Sequence, residues 1–291
     1  MFFSTTDSSE QRACNVSRFH IRFSRQDGPI LASGLVIGSL LAIASGCSSV
    51  PPSAVGPLRS PPRAGQPLPS AVQTIVLDAG HGGHDPGASH YGMREKALTL
   101  DLTRRLRDRL RAAGLNVVLT RETDQFIPLS KRPAIANRLQ ADLFVSIHVN
   151  ANRSRRVSGI EVYYPRVSVV SSGAHWPPTV IPAEIGMPSV TVKQLLWDLV
   201  LRRTRSQSRR LATTICRSMR QGLQVPCRSV KPARFVVLRE AWMPSVLVEV
   251  GYLSNQAEAR RLGSAEYREA AAAAITNGIT AYIGDLGAQH I

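Results

Sequence analysis

From residue 74 onward, short apolar runs alternate with longer amphipathic stretches, and this alternation constrains the fold more than any other feature of the sequence. The run TIVLDAG, Thr74–Gly80, is short and apolar and ends in glycine, which is typical of a buried strand. In Glu95–Gly114 a leucine recurs once per helical turn and a glycine ends the pattern, which predicts a helix. Further strands are predicted for NVVLTR, ADLFVSIHVNA, GIEVYY, ARFVVLR and SVLVEVGYLSN, and further helices for PLSKRPAIANRLQ, a segment ending near Gly222, and Ser264–Tyr282. Such alternation predicts an α/β fold, with a mainly parallel central sheet flanked by helices in a single domain.

The first 46 residues have the pattern of an export signal. Several arginines precede a charge-free apolar stretch, and Ala44, Ser45 and Gly46 then stand directly before Cys47. This order resembles a bacterial lipobox, in which the cysteine is lipidated and becomes the mature N-terminus. An uncleaved membrane anchor and an ordinary cleaved signal remain open alternatives, because the apolar run is close to the ~20 residues that span a bilayer. All three alternatives export the rest of the chain.

Residues 47–72 are rich in Pro, Ser and Gly and have no periodic apolar pattern. Such a composition predicts a semi-extended tether, since it cannot form a packed core. The folded domain is therefore predicted to occupy residues 73–286.

Four ionisable residues lie where predicted strands end or a predicted helix begins. His81 follows the first strand, Glu95 begins a helix, and His148 and Glu249 stand late in two other strands. In open α/β sheets the ligand site lies beyond the carboxyl ends of the strands. Two imidazoles and one carboxylate form the donor set of a catalytic zinc site, and a further carboxylate would serve as general base.

Each of these residues also has a simpler interpretation. His81 is compatible with a turn, Glu95 with a first-turn glutamate favoured by the helix dipole, and His148 with a core histidine. Glu249 is harder to explain in this way, because burying a carboxylate in an apolar strand is costly. Taken together, the four residues favour the functional interpretation.

Four segments of the chain, in order, resemble the signature segments of the zinc-dependent N-acetylmuramoyl-L-alanine amidases, the AmiA/AmiB/AmiC-type catalytic domain. They are LDAGHGGHDPGA, REKALTLDLTRRL, SIHVNA and LVEVGYLSN, and the similarity extends over residues 73–284. The resemblance implies that His81, Glu95 and His148 bind Zn²⁺ and that Glu249 is the catalytic acid/base. It gives no role to His84, which is expected to be a loop residue.

The resemblance implies hydrolysis of the amide bond between N-acetylmuramic acid and L-alanine in peptidoglycan, in cell-wall remodelling or daughter-cell separation. The export signal predicts a periplasmic location, and a lipidated Cys47 followed by Ser48 rather than Asp predicts outer-membrane anchoring. Two alternatives stay open: a catalytically silent peptidoglycan-binding or regulatory protein, and a zinc peptidase that acts within the stem peptide.

An insertion is expected at residues 166–205. Cell-division members of the resembled family carry an insertion there that covers the zinc until an activator displaces it, so the resemblance implies a LytM-domain activator as a partner. The insertion is proline-rich, and a surface loop that packs Trp176 and Trp197 is the open alternative.

The formal net charge of +16 indicates an anionic partner. No nucleic-acid-binding motif accompanies the charge, so nucleic acid is not expected, whereas stem-peptide carboxylates and anionic lipids are available to an exported protein. Arginines near residues 202–220 could instead be the solvated face of a helix whose Leu211, Ile215 and Met219 are buried.

Spacing alone leaves open whether Cys216 and Cys227 form a disulfide. Asp78 could orient His81 or could be a turn residue.

Overall fold

The computed structural model describes residues 72–166 and 190–288 and is built on one central sheet. Its strands are β1 Thr74–Ala79, β2 Ser89–His90, β3 Met93–Arg94, β4 Asn116–Leu119, β5 Leu143–Asn150, β6 Ile160–Pro165, β7 Cys227–Ala233 and β8 Ser245–Tyr252. Its helices are α1 Glu95–Ala112, α2 Lys131–Arg138, α3 Val190–Leu223, α4 Val236–Arg239, α5 Gln256–Gly263 and α6 Ala265–Gly287.

The central sheet has six strands in the order β4-β1-β5-β8-β6-β7, and β2 and β3 form a separate two-stranded pair. Every neighbouring pair in the central sheet is parallel except β6 and β8, which are antiparallel. The predicted α/β fold with a mainly parallel sheet is therefore confirmed. Because β1, β5 and β8 are parallel, their carboxyl ends meet at one edge of the sheet.

The two faces of the sheet carry different side chains. In β5, Val145, Ile147 and Val149 pack in the larger apolar core with α1, α3 and α6. Since successive side chains of a strand point to opposite faces, Ser146 and His148 lie on the other face, toward the smaller core that α2 and α4 cover. The polar residues of β5 and β8 therefore share one face.

The leucine spacing of α1 and the apolar stripe of α3 build the larger core. Leu102, Leu106 and Leu110 of α1 are buried, as are Leu211, Ile215 and Met219 of α3. Burial of each such side chain stabilises the fold by about 1.5–3 kcal/mol. A substitution such as Leu106→Ala would leave a cavity and cost about 2–5 kcal/mol.

One strand prediction was wrong. The apolar letters of ARFVVLR form the short helix α4, which places Val237 and Leu238 in the smaller core. The strand at this edge is β7, whose sequence CRSVKPA is polar and contains a proline. A short apolar run cannot be assigned to strand or helix by periodicity alone, and β7 lacks the apolar alternation that marks a strand because it lies at the sheet edge.

The insertion expected at residues 166–205 is described only in part. Residues 167–189 lie outside the described residues, and residues 190–205 form the beginning of α3. The expected signal segment, Cys47 and the tether also lie outside them, except for residue 72. Among the residues that the structure describes, no helix is both long and apolar enough to cross a membrane.

Cys216 of α3 and Cys227 of β7 form a disulfide, which answers the question that spacing left open.

Candidate active site

The loop that follows β1 carries His81 in a left-handed conformation, with a φ of 59°. Glycines beside it allow close contacts that a larger residue would prevent. A Cβ at Gly80 would lie 2.5 Å from the His148 ring, and a Cβ at Gly87 would lie 2.6 Å from Oε2 of Glu95. The glycine-rich sequence of this loop is therefore what lets His81, Glu95 and His148 approach one another.

Two buried arginines hold the backbone of this loop. Arg121 donates to the carbonyl of Gly80 at 2.8 Å, and Arg132 donates to the carbonyl of His81 at 2.9 Å. Arg132 also donates to Asp78, 3.0 Å away. These bonds fix the carbonyls that precede the site, so the position of His81 does not depend on the loop alone.

Asp78 has neither of the roles that its sequence position suggested. Its carboxylate lies within β1, is fully buried, and accepts hydrogen bonds from Thr120, Ser146 and Arg132. Burial raises the pKa of Asp78, but Arg132 and the two hydroxyl donors more than offset this and hold the pKa below its usual value. Asp78 therefore anchors Arg132 and does not contact the His81 imidazole.

His81, Glu95 and His148 lie together at the carboxyl edge of the sheet. Nε2 of His81 is 3.1 Å from Oε2 of Glu95, and Nδ1 of His148 is 3.0 Å from Oε1 of the same carboxylate. The two imidazole rings are edge to face, with centroids 5.0 Å apart. One ligand atom from each residue lies within 4.8 Å of the others, so the three side chains form a group that could hold a metal ion.

Asp85 is a neighbour of this group that the sequence did not single out. Its Oδ2 accepts a hydrogen bond from Nδ1 of His81 at 2.7 Å. A proton held on Nδ1 by Asp85 leaves Nε2, the nitrogen that faces Glu95, as the one that can give up its proton and bind a metal ion, which is the tautomer that a metal ligand requires. A carboxylate four residues after a histidine in a glycine-rich loop was the available signal.

Glu95 is buried and has a donor at each carboxylate oxygen. The backbone N–H of Val149 donates to Oε1 and that of Ala88 donates to Oε2. Burial alone would raise the pKa of Glu95, but hydrogen bonds and charge from His148 and His81 reverse this and lower it far below its usual value. Glu95 is therefore held as a carboxylate.

Glu249 lies on β8 directly opposite His148 of β5. Its side chain is partly exposed, but its Oε2 is buried and has no hydrogen-bond partner among the described residues. Burial raises the pKa of Glu249 well above its usual value, and the charges of Glu95 and Glu161 raise it further. This carboxyl group therefore holds its proton more readily than an exposed glutamate does, as a general acid and base must.

Next to Glu249, the neighbouring strand carries a buried glutamate that sequence reasoning missed. Glu161 of β6 pairs in register with Glu249. Its oxygens accept hydrogen bonds from Tyr163 at 2.7 Å, Ser229 at 3.2 Å and Lys231 at 3.1 Å. The alternation in GIEVYY placed Glu161 on the same face as Tyr163, but nothing in the sequence paired that strand with Lys231.

His84 lies outside the group formed by His81, Glu95 and His148. It is exposed, and its ring packs against Phe126 with centroids 4.1 Å apart. The histidines of the loop therefore have different surroundings, and only His81 faces Glu95.

The chain is similar to known amidases over most of the described residues. The family described as N-acetylmuramoyl-L-alanine amidase matches residues 75–281. The N-acetylmuramoyl-L-alanine amidase AmiC of Escherichia coli is 36% identical over 245 residues, which are 81% of this chain and 58% of AmiC. This chain thus covers less than two thirds of AmiC.

Solved structures agree with this match. The amidase AmiC2 of Nostoc punctiforme is 33% identical, with a TM-score of 0.55 over 71% of this chain and 94% of AmiC2. The CwlD amidase of Clostridioides difficile, solved with the GerS lipoprotein, is 29% identical, with a TM-score of 0.59 over 73% of this chain and 99% of CwlD. The chain therefore belongs to the N-acetylmuramoyl-L-alanine amidase family of enzymes.

Proposed function

We propose that this protein uses zinc to hydrolyse the amide bond between N-acetylmuramic acid and L-alanine in peptidoglycan. The observation that carries the proposal is that one site contains two carboxyl groups whose pKa values are shifted in opposite directions. Glu95 is held as a carboxylate between two histidines, and Glu249 stands opposite His148 with a raised pKa.

His81, Glu95 and His148 are the residues that would hold the metal. Two imidazole nitrogens and one carboxylate oxygen are the usual donors of catalytic zinc sites, which keep one coordination position open. Asp85 supports this assignment because it fixes the His81 tautomer from behind. The spacing of the donor atoms, all within 4.8 Å, is compatible with one small ion.

An amide is difficult to hydrolyse because its carbonyl carbon is a poor electrophile and its nitrogen a poor leaving group. A zinc ion in this group would polarise the carbonyl and make an attacking water molecule more acidic. Glu249 takes a proton from that water molecule while the oxygen of the water bonds to the carbonyl carbon. Glu249 then returns the proton to the L-alanine nitrogen as the C–N bond breaks, which leaves a lactyl carboxylate and a free amino group.

We infer that the enzyme acts in the periplasm. Residues 1–46 are its signal, residues 47–72 its tether, and a lipidated Cys47 its outer-membrane anchor. The Cys216–Cys227 disulfide supports export, because disulfides persist in oxidising compartments. Cys47→Ser should abolish labelling by a palmitate analogue, and a lack of label on the unaltered protein would refute the anchor.

We also propose that a partner protein regulates the enzyme through the 166–205 insertion, in the context of cell division. A LytM-domain activator is the partner class that the family resemblance suggests, and the CwlD structure contains a lipoprotein partner. Replacing residues 166–192 with a Gly/Ser linker should raise basal hydrolysis. An unchanged basal rate in a folded, zinc-loaded deletion variant would contradict this regulation.

Digestion of purified sacculi tests the activity directly. The domain spanning residues 73–286 should release stem peptides that begin with a free L-alanine amino group, and mass spectrometry would identify them. Shortened peptides still attached to the glycan would indicate a peptidase instead. Binding to sacculi without release of any fragment would indicate a silent wall-binding protein. Glu249→Gln is the matched control, since it removes the proton carrier and retains the side-chain shape.

A further inference from the structure

We propose that Lys231 forms a subsite for a free carboxylate on the peptide side of the cleaved bond. This inference rests on the proposed function, because it names the group that the same site would recognise. The ligand class is an acidic peptide. In stem peptides the second residue is a D-glutamate joined through its side chain, so its α-carboxylate is free unless it is amidated.

The position of the Lys231 ammonium group is fixed by two neighbours. Nζ donates to Oε1 of Glu161 at 3.1 Å and lies 5.0 Å from the centre of the Tyr163 ring. The Lys231 side chain nevertheless remains 46% exposed, whereas that of Glu161 is only 8% exposed. An ammonium group has three N–H donors, so a lysine oriented in this way can still donate to a ligand from the solvent side.

Glu161 does not prevent a second anion from approaching the ammonium group. Its oxygens already accept hydrogen bonds from Tyr163, Ser229 and Asn150 in addition to Lys231. Burial raises the pKa of Glu161, and Lys231 supplies only part of what lowers it below its usual value, since hydrogen bonds from Tyr163 and Tyr252 also lower it. Lys231 is therefore not committed to neutralising Glu161 alone.

The subsite lies on the face of the sheet that carries Glu249, on the edge strand β7. Glu249 pairs with Glu161 of β6, and Tyr163, two residues on, pairs with Lys231 of β7. Adjacent strands are about 4.8 Å apart and successive residues about 3.3 Å, so the backbone of Lys231 lies about 12 Å from that of Glu249, and the Lys231 side chain bends back toward Glu161. Phe235, which is 38% exposed and packs on Tyr163, adds an apolar wall.

The spacing suits a carboxylate one residue beyond the L-alanine. An extended peptide advances about 3.5 Å per residue, so the α-carboxylate of the second residue lies roughly 7 Å from the cleaved bond. With the L-alanine nitrogen beside Glu249, that carboxylate reaches the strand on which Glu161 and Tyr163 lie. An ammonium group is the expected partner there, because hydrogen bonds to charged groups are stronger than those between neutral groups.

The test compares two soluble glycan substrates whose stem peptides differ only in the second residue, D-isoglutamate in one and D-isoglutamine in the other. The zinc-loaded enzyme should prefer the free acid. Lys231→Met should lower the ratio of kcat/KM between the acid and the amide substrate by about tenfold, mainly through KM. Lys231→Arg should retain most of the preference, since it keeps a cation on β7.

Lys131→Met is the matched control, because it removes an exposed lysine at the start of α2 and should leave the ratio unchanged. An unchanged ratio in a folded, zinc-loaded Lys231→Met variant would overturn the subsite and leave Lys231 as the structural partner of Glu161. Loss of the preference in Lys231→Arg as well as in Lys131→Met would also overturn it. Hydrolysis of neither substrate by the unaltered enzyme would contradict the proposed function itself.

Discussion

Glu95 and Glu249 are the same residue type and both are neighbours of His148, yet their surroundings differ in almost every respect. Glu95 has a backbone N–H at each oxygen and an imidazole nitrogen at each oxygen. Glu249 has one buried oxygen with no partner among the described residues and a second acid, Glu161, on the next strand. The comparison teaches that the environment, not the residue type, separates a side chain that stays charged from one that can exchange a proton.

The difference extends to the elements that support each residue. The Glu95 region contains β1, β5 and the start of α1, and Arg121 and Arg132 hold its loop from beneath. The Glu249 region contains β8, β6 and the edge strand β7, which a disulfide ties to α3. The predictions below separate these two regions, beginning with the largest expected effect.

Glu249→Gln should reduce kcat on peptidoglycan by about 10²–10⁴-fold, because an amide cannot take the proton from water. The zinc content should be unchanged, since the metal-binding group lies in the other region. Steady-state kinetics on sacculi, with bound zinc measured on the same sample, checks this. A variant that keeps more than about a tenth of the activity would show that Glu249 is not the proton carrier.

Removing the disulfide should weaken the Glu249 region and leave the metal-binding group intact. The double variant Cys216→Ser, Cys227→Ser should lower the free energy of unfolding by about 3 kcal/mol, the value for closing a loop of this length. Urea unfolding measures the loss, and hydrogen exchange should show faster opening of β7 than of β1. Equal acceleration in both strands would mean that the two regions unfold together.

Asp85→Asn should weaken zinc binding by about 10–100-fold, because an amide holds the His81 tautomer less firmly than a carboxylate does. Competition with a chelator of known affinity measures the change. His84→Asn, in the same loop but outside the metal-binding group, is the control and should bind zinc like the unaltered protein. An affinity unchanged by Asp85→Asn would remove Asp85 from the support of the site.

The raised pKa of Glu249 predicts a pH-dependent stability of the metal-free protein. The folded state holds the Glu249 proton more tightly than the unfolded state, so stability falls as pH rises from the ordinary pKa of 4.5 toward the raised value. Glu249→Gln removes this dependence. As pH rises through that window, the free energy of unfolding of the variant minus that of the unaltered protein should therefore increase, by up to about 1.4 kcal/mol per pH unit. Urea unfolding with chelator at pH 5 and pH 7 checks the sign, and a difference that shrinks with pH would contradict it.

The sequence was most informative where its pattern was regular. The apolar runs of β1, β5 and β8 and the leucine spacing of α1 placed His81, Glu95, His148 and Glu249 at element ends, and the structure brings them to one edge. In these elements burial, propensity and periodicity agree, so local pattern and global fold make the same demand.

The sequence was least informative where the contacts are non-local and polar. β7 was missed because an edge strand needs no apolar alternation. The contact of Asp78 with Arg132 was not predicted, because Arg132 lies 54 residues away in the sequence. Nothing local connects Glu161 with Lys231, which are 70 residues apart and meet only when β6 pairs with β7. Such pairs depend on strand order, which periodicity does not specify.

The most direct test of the contrast is the zinc content of Glu95→Gln and Glu249→Gln, purified side by side and measured by elemental analysis. Our account predicts about one zinc ion per chain in Glu249→Gln and almost none in Glu95→Gln, with both variants inactive. The same zinc content in the two variants, or a full complement in Glu95→Gln, would contradict the division of roles between the two carboxyl groups.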